Sequence, residues 1–234
     1  MKIVIFAQFK INVMNRFKVL LFSLVVTTAI VSAQPGIRFS VFANPCINWL
    51  VSDIKTIDSK SALMGFDAGM TLDKYFADNY AFSTGISIGT LGGNLNYEYA
   101  TGFKTNTATV VIPAKTSVKF NLQYITIPLG LKFKTKEIGY FTYFAHLGLT
   151  SQINIKATGS SNDNIPVLDG DNISEEISMF NMAYHFGGGI QYSLGGNTAL
   201  VLGATLTNGF VDVTQSETDK ITTSSLAIRL GILF

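Results

Sequence analysis

The two histidines of the chain, His146 and His185, are the side chains best suited to acid–base or metal chemistry near neutral pH. Each lies in a segment where apolar residues alternate with small or polar ones, so we expect both on the polar faces of strands. A metal pair would need a third ligand at a suggestive spacing, and the sequence offers none. A hydrolase would need a serine placed beside one histidine, and the many serines favour no candidate. We therefore predict no catalytic, cofactor-binding or metal-binding residue, no cofactor and no enzymatic activity.

The segment 156–178 contains an acidic cluster with side chains of the kind that bind calcium. Its members are Asp163, Asp169, Asp171, Glu175 and Glu176. The segment lacks the twelve-residue ligand pattern of a calcium loop. We therefore favour a solvated acidic loop and keep a calcium site as the alternative.

Neither the glycines nor the single cysteine form a recognisable chemical motif. Gly187, Gly188 and Gly189 lie within an alternating segment, and no Lys-Ser or Lys-Thr pair follows them, so they do not predict a phosphate-binding loop. Cys46 is the only cysteine, which excludes an internal disulfide. The sequence also contains no CxxC or HExxH spacing.

The N-terminal region has the pattern of a secretory signal. Arg16 and Lys18 precede the apolar run 19–31, and the small residues Ser32 and Ala33 follow it. The run has thirteen residues, which is too few to cross about 30 Å of hydrocarbon as a helix. We therefore predict a cleaved signal peptide rather than a membrane anchor.

Cleavage after this signal defines the domain organisation and the charge. Residues 1–33 form the predicted signal peptide, with Met14 as an alternative start, and residues 34–234 form one domain. The signal holds four of the 17 basic residues and none of the 15 acidic ones, so the mature chain carries 13 basic and 15 acidic residues. This balance leaves no basic patch and predicts no nucleic-acid partner. Cys46 lies too far beyond the cleavage site to anchor a lipid.

The mature chain reads as a series of amphipathic strands. The chain is 47% hydrophobic and only 14% charged, yet no apolar run of the mature part is long enough for a transmembrane helix. The alternating segments span 37–50, 62–76, 82–89, 118–134, 140–155, 179–194, 198–213 and 222–234. In the fourth segment the apolar residues change from even positions, ending at Tyr124, to odd positions, beginning at Ile125. This change of phase predicts a β-bulge near Tyr124.

The connections between these segments alternate in length. Those near 77–79, 135–139 and 195–197 are short, and those near 51–61, 97–117, 156–178 and 214–221 are longer and polar. Outer-membrane barrels have short periplasmic turns and longer extracellular loops, and open sheet edges are not tolerated in hydrocarbon. We therefore predict an all-β fold, an eight-stranded antiparallel up-and-down transmembrane β-barrel with short periplasmic turns and longer extracellular loops.

In such a barrel the apolar faces meet lipid and the small or polar faces fill the lumen. The aromatic residues predicted to form an inner girdle are Tyr75, Phe76, Tyr80, Phe82, Phe133, Tyr140, Phe141, Tyr192 and Phe234, and those predicted for the outer girdle are Trp49, Tyr97 and Tyr99. The inward-facing candidates are Arg38, Asp67, Asp73, Lys132, His146, His185 and Arg229. We favour an internal plug of ion pairs and hydrogen bonds and keep a gated polar path as the alternative.

Three stretches of the mature chain resemble the PorT-like outer-membrane β-barrel family of Bacteroidota-type bacteria. They are Tyr124–Lys132, with its Tyr-x-x-Ile-Pro-Leu-x-x-Lys pattern, Ala145–Leu149 with a central glycine, and Phe186–Ile190. The terminal segment Leu226–Phe234, which ends on an aromatic residue, resembles the closing strand of bacterial outer-membrane barrels. The resemblance implies an eight-stranded barrel in the outer membrane of a Gram-negative bacterium and offers no catalytic residues. The ending on Phe234 also implies recognition by the outer-membrane assembly machinery.

Several functions remain compatible with this fold. We favour a structural or loop-mediated binding role with a side-chain-filled lumen, with the lipid bilayer and a surface protein as partners. The first alternative is a transport or protein-secretion accessory role, since some relatives in the resembled family are linked to secretion. An outer-membrane enzyme is less favoured. A soluble ligand-binding barrel would instead place its apolar faces inside.

Overall fold

The structure is a computed structural model that describes residues 36–105, 109–161, 168–215 and 220–234. The predicted signal peptide lies outside these described residues. Strands dominate the described chain, and it contains no helix that is both long and apolar enough to cross a bilayer.

Twelve strands make up the described fold. They are β1 (Ile37–Ser52), β2 (Ile57–Ser61), β3 (Leu63–Ala77), β4 (Tyr80–Tyr97), β5 (Thr101–Lys104), β6 (Thr109–Ile112), β7 (Thr116–Lys134), β8 (Phe141–Ser161), β9 (Asp169–Asn172), β10 (Phe180–Gly195), β11 (Thr198–Gly209) and β12 (Ile221–Leu233). Eight of them are long, and these correspond to the eight alternating segments of the sequence. The four short strands, β2, β5, β6 and β9, lie in the longer connections.

The eight long strands close into an antiparallel barrel. Their order is β1, β3, β4, β7, β8, β10, β11, β12, and β12 pairs back with β1. The predicted fold is therefore confirmed. The closing β1–β12 ladder runs from Ser40↔Leu233 to Ser52↔Ile221, with a gap at Asn44 and Pro45. Pro45 has no N–H group to contribute to a ladder.

The two ends of the barrel differ as the sequence predicts. The short connections, near 78–79, 135–140 and 196–197, share one end, which we call the turn end. The long connections lie at the opposite end, which we call the loop end. There β2 continues the pairing with β4, and β9 continues the pairing with β8.

A ring of exposed apolar side chains surrounds the part of the barrel nearer the turn end. Residues from all eight long strands contribute to this apolar belt, with side chains between 40% and 60% exposed: Val41, Phe66, Phe82, Leu129, Leu147, Phe186, Leu202 and Ile228. Strand alternation turns the intervening residues into the lumen. Within the belt, the predicted orientation of apolar faces outward and polar faces inward is confirmed.

Nearer the loop end the arrangement is reversed, because apolar residues there point into the barrel. Leu95, Phe120, Leu122 and Tyr124 are at most 1% exposed, while Lys119 on the outer face of β7 is exposed. These four residues belong to one buried cluster that also includes residues of the long connections. We call this cluster the apolar plug. The barrel thus continues beyond its belt as a structure with an apolar interior and a polar exterior.

This reversal corrects the interpretation of the fourth segment. β7 keeps one register with β4 from Tyr80↔Phe133 to Tyr97↔Thr116, so its even-numbered residues face inward throughout. A register shift does lie beside Tyr124, but it occurs in the pairing with β8, where Gln123 faces Lys156 and Tyr124 faces Asn154. β7 therefore does not change its face. The apolar residues change sides because the surroundings of the strand change along its length.

The hairpin of β5 and β6 forms a lid over the loop end. The ring of Phe103 packs against Tyr97, with centroids 5.4 Å apart, and against Phe120 at 6.0 Å. Ile112 on the same face of the hairpin is fully buried, whereas Val111 on the opposite face is 64% exposed. Tyr97, which the sequence placed in an outer aromatic girdle, therefore lies in the apolar plug.

Candidate functional site

The inward-facing residues of the belt region form the candidate site, and a buried ion pair lies at its turn-end side. Lys132 on β7 contacts Asp73 on β3, with an Nζ–Oδ2 distance of 2.5 Å and side chains 7% and 2% exposed. The hydroxyl of Ser83 donates to the other carboxylate oxygen of Asp73 at 2.6 Å. The ammonium group of Lys132 also lies 5.1 Å from the centroid of the Phe144 ring. Both charges are thus compensated, as buried charges require.

A second group of polar residues lies farther from the turn end. Asp67 accepts a hydrogen bond from Nδ2 of Asn44 at 3.1 Å. The guanidinium of Arg229 lies 4.5 Å from the centroid of the Phe42 ring, a cation–π contact. Among the described residues the Asp73–Lys132 pair is the only ion pair within 4 Å, so Arg229 is held by an aromatic face rather than by a carboxylate.

The two histidines are neighbours in the lumen, on the adjacent strands β8 and β10. Their ring centroids are 5.5 Å apart. Nδ1 of His185 is hydrogen-bonded to the hydroxyl of Thr150 at 2.7 Å, and Nε2 of His146 to the hydroxyl of Thr205 at 3.2 Å. Gly187 leaves the space for this arrangement, because a Cβ atom there would lie 2.7 Å from Nε2 of His146.

Among the residues that the structure describes, no set of metal ligands surrounds the histidines. Within the described ranges, no three His, Cys, Asp or Glu side chains gather closely enough to hold an ion. Each histidine has instead a threonine hydroxyl as its hydrogen-bond partner. This arrangement can orient the rings and fill the lumen, and it lacks the carboxylate that would complete a Ser-His-Asp constellation.

A cavity of about 120 Å³ lies between the ion pair and the apolar plug. Its walls include Asp67, both histidines and Arg229, together with the hydroxyl-bearing residues Ser87, Thr126, Thr150, Thr205, Thr207 and Ser225. Tyr124 and Leu91 border the cavity on the side of the plug. In the described part of the chain, these two side chains close the cavity toward the loop end.

The mouth of the lumen at the turn end is polar and holds a cavity of about 300 Å³. Nη1 of Arg38 donates to the carbonyl oxygen of Asn197 at 2.7 Å, and Nζ of Lys134 lies 4.4 Å from the centroid of the Tyr75 ring. The placement of Arg38 toward the lumen is in accord with the sequence. Tyr75 was placed in the lipid-facing inner girdle, and this is wrong, because it shares the inward face of β3 with Asp73.

The acidic residues of the segment 156–178 do not converge on one point in the described structure. Asp163 lies outside the described residues. The backbone N–H of Asp169 donates to the carboxylate of Asp171 at 3.1 Å, and Glu176 accepts a hydrogen bond from the backbone N–H of Lys104 at 2.5 Å. Glu176 thus ties the segment to the lid. The described part of the segment contributes to no group of three potential cation ligands.

Comparisons with known proteins agree with the barrel. The family model described as "Outer membrane protein beta-barrel domain" matches residues 32–226. No curated protein matches the sequence.

Three solved structures illustrate what the chain is similar to. Neisserial surface protein A is 12% identical, with 83% of this chain and 95% of that chain covered and a TM-score of 0.44. Ail, the attachment invasion locus protein of Yersinia pestis, is 15% identical, with 84% of this chain and 98% of that chain covered and a TM-score of 0.39. The outer membrane protein OprG from Pseudomonas aeruginosa is 12% identical, with 85% of this chain and 96% of that chain covered and a TM-score of 0.40. The likeness at this level of identity is one of fold.

Proposed function

Since the chain belongs to the family of outer-membrane protein β-barrel domains, we propose that it is an integral barrel with a closed lumen whose loop end binds a surface partner or has a structural role. The observation that carries this proposal is the obstruction of the lumen at two separate levels. Toward the turn end the obstruction is the buried Asp73–Lys132 pair, and toward the loop end it is the apolar plug. A conducting pore would need both to move.

The lid supports a binding role for the loop end. Phe103 and Ile112 fix one face of the β5–β6 hairpin against the plug, and the hydrogen bond from Lys104 to Glu176 fixes its edge. The opposite face of the hairpin is exposed. A surface that is already ordered loses less conformational entropy when it binds a partner.

The remaining parts of the proposal concern export and orientation. The signal peptide 1–33 is cleaved, the turn end faces the periplasm, and the loop end faces the outside of a Gram-negative cell. The assembly machinery recognises the last strand with Phe234. The finer relationship is to the PorT-like barrels, and the role is not enzymatic, since His146 and His185 have threonine hydroxyls as their hydrogen-bond partners.

Three measurements test this proposal. Cell fractionation should place the chain in the outer membrane, and an unboiled sample should migrate differently from a boiled one on a gel. In planar bilayers the purified barrel should show no steady conductance. A large and stable conductance would contradict the closed lumen.

The binding role needs a test in intact cells. Cross-linking at the exposed Val111 of the lid should capture a surface partner, and the same cross-linker at the lipid-facing Leu129 should not. A deletion strain that loses proteins from the medium would instead favour a secretion-accessory role. Turnover of a substrate that disappears in His185→Ala would contradict the non-enzymatic assignment.

A further inference from the structure

The outer wall of the barrel carries an apolar groove of about 780 Å³. It runs across β10, β11, β12 and β1 in the half of the belt nearer the turn end. Twelve residues line it, and they include Ala43 of β1, Leu200 and Leu202 of β11, and Leu230 and Ile232 of β12. A barrel wall is convex, so a depression of this size needs a local cause.

The cause lies in the sizes of side chains that the strand register places side by side. On β12, Leu230 and Ile232 stand opposite Leu202 and Leu200 of β11, which gives a raised apolar wall. On the other side of β12, Leu230 faces Ala43 of β1. Because the alanine side chain is much shorter than that of leucine, the outer surface is lower at Ala43. Ala43 is half-buried although it faces outward, whereas Ala145, an outward-facing alanine on β8, is exposed. Ala43 therefore lies at the low point of a groove.

The size and the chemistry of this groove favour a hydrocarbon chain over a protein. A stable protein interface uses about 20–30 residues on each side, and the groove is lined by 12. The residues that line the groove are apolar, except for the hydroxyl of Tyr192. The groove also lies within the apolar belt, where the surrounding solvent of a membrane barrel is lipid.

A cation is available on the outer surface near the turn-end limit of the groove. Phe234, which lines the groove, exchanges backbone hydrogen bonds with Phe39 of β1, at 2.7 and 3.3 Å. The outward-facing and exposed Lys74 of β3 stands opposite Ile37, two residues from Phe39 along β1. Lys74 is therefore placed near the level at which a lipid in this leaflet carries its phosphate.

We propose that the groove is a binding site for one phospholipid of the turn-end leaflet, with an acyl chain against Ala43 and the phosphate at Lys74. The proposal rests on the membrane insertion contained in the proposed function. It goes beyond that function because it distinguishes one retained lipid from the exchanging lipids around the belt. The lipid covers the depression and completes the outer wall beside the closing strands.

The test uses native mass spectrometry of the full barrel, extracted in mild detergent and supplemented with dioleoyl phosphatidylethanolamine. The wild type should retain one lipid per barrel. Ala43→Phe fills the groove and should reduce the retained fraction at least tenfold. The matched control Ala145→Phe adds the same ring to the far side of the belt and should retain the lipid as the wild type does.

A second pair of variants tests the headgroup. Lys74→Gln should lower lipid retention severalfold, and Lys136→Gln, in the connection between β7 and β8, should leave it unchanged. Each variant must first show the heat-dependent gel shift of the wild type, so that loss of folding is recognised. The proposal is overturned if the wild type retains no lipid, or if Ala43→Phe and Ala145→Phe retain equal amounts. If fractionation shows a membrane barrel but no lipid is retained, only this inference fails.

Discussion

Breaking the buried ion pair of the lumen should destabilise the barrel strongly. Asp73→Asn keeps the size of the side chain and removes its charge, which leaves the ammonium of Lys132 buried with no opposite charge in contact. Removing one partner of a buried pair costs about 3–5 kcal/mol. The ring of Phe144, 5.1 Å from the ammonium, retains part of the stabilisation, so we expect a value near the lower limit, about 3 kcal/mol. This corresponds to a change of roughly 150-fold in the unfolding equilibrium.

The double variant Asp73→Asn with Lys132→Met distinguishes a charge effect from a packing effect. Replacing a whole buried pair by uncharged groups of similar volume is often neutral or stabilising. The double variant should therefore lie within about 1 kcal/mol of the wild type, which makes it more stable than the Asp73→Asn single variant. The hydroxyl of Ser83 remains available to the residue at position 73 in both variants.

Trp49 provides the assay, because it is the only tryptophan of the chain. It lies on β1, half-buried, and its fluorescence reports unfolding in urea titrations of the barrel in lipid vesicles. The midpoint and the slope together give the free energy of unfolding. If Asp73→Asn costs less than about 1 kcal/mol, or the double variant is as unstable as the single one, the charge of Lys132 does not depend on Asp73 and the argument is refuted.

Three further predictions address other parts of the barrel. Leu129→Arg, on the lipid-facing side of β7, should lower the free energy of unfolding in the urea titration by about 2–4 kcal/mol. The control Asn121→Arg lies on the same face of the same strand but beyond the belt, and it should lower this free energy by less than about 0.5 kcal/mol. Phe103→Ala should loosen the lid, so that trypsin cleaves the loop end faster while the gel shift of the folded barrel persists; unchanged cleavage would contradict the packing of the hairpin. Gly148→Ala should lower stability by about 1–3 kcal/mol, because its Cβ would lie 2.5 Å from the Cα of the facing glycine of β7, and Gly102→Ala, whose nearest contact would be at 3.5 Å, should not.

The strands and their faces within the belt follow from the sequence because one simple rule applies there. Lipid lies on one side of each strand and a crowded lumen on the other, so alternation alone assigns the faces. Phe82 and Phe186 are exposed on the outer wall as expected. His146 and His185 likewise lie on inward faces of neighbouring strands.

The same rule fails where the surroundings of the strand change. Phe120 and Leu122 face inward like the polar residues nearer the turn end, and only their chemistry differs. The alternation of side chains is visible in the sequence, but the position along the strand at which the surroundings change from lipid to water is not. For this reason the sequence pattern of β7 predicts a change of face near Tyr124 that the strand does not make. The signal that could have found the plug was already present, since the residues between these apolar positions, such as Lys119 and Asn121, are polar or charged.

The partner of Asp73 could not be predicted either, although its inward orientation could. Asp73 and Lys132 lie on strands separated by β4, and their contact depends on the relative stagger of three strands. Alternation sets a face within one strand but not the stagger between strands. Tyr75 illustrates the same point, since proximity to a turn suggested the outer wall and the strand parity placed it at the mouth of the lumen.

The ladder between β1 and β12 joins segments from the two extremities of the described chain. Until these segments meet, a partly assembled sheet has two edges with unpaired backbone N–H and C=O groups. The conformational entropy lost in bringing such distant segments together precedes the free energy gained from their pairing. Completion of the cylinder should therefore be a late and cooperative event. Because the ladder skips Asn44 and Pro45, the amide hydrogens of β12 that point toward this gap, among them that of Ile228 opposite Pro45, should be the first within the wall to exchange with deuterium when the barrel opens locally.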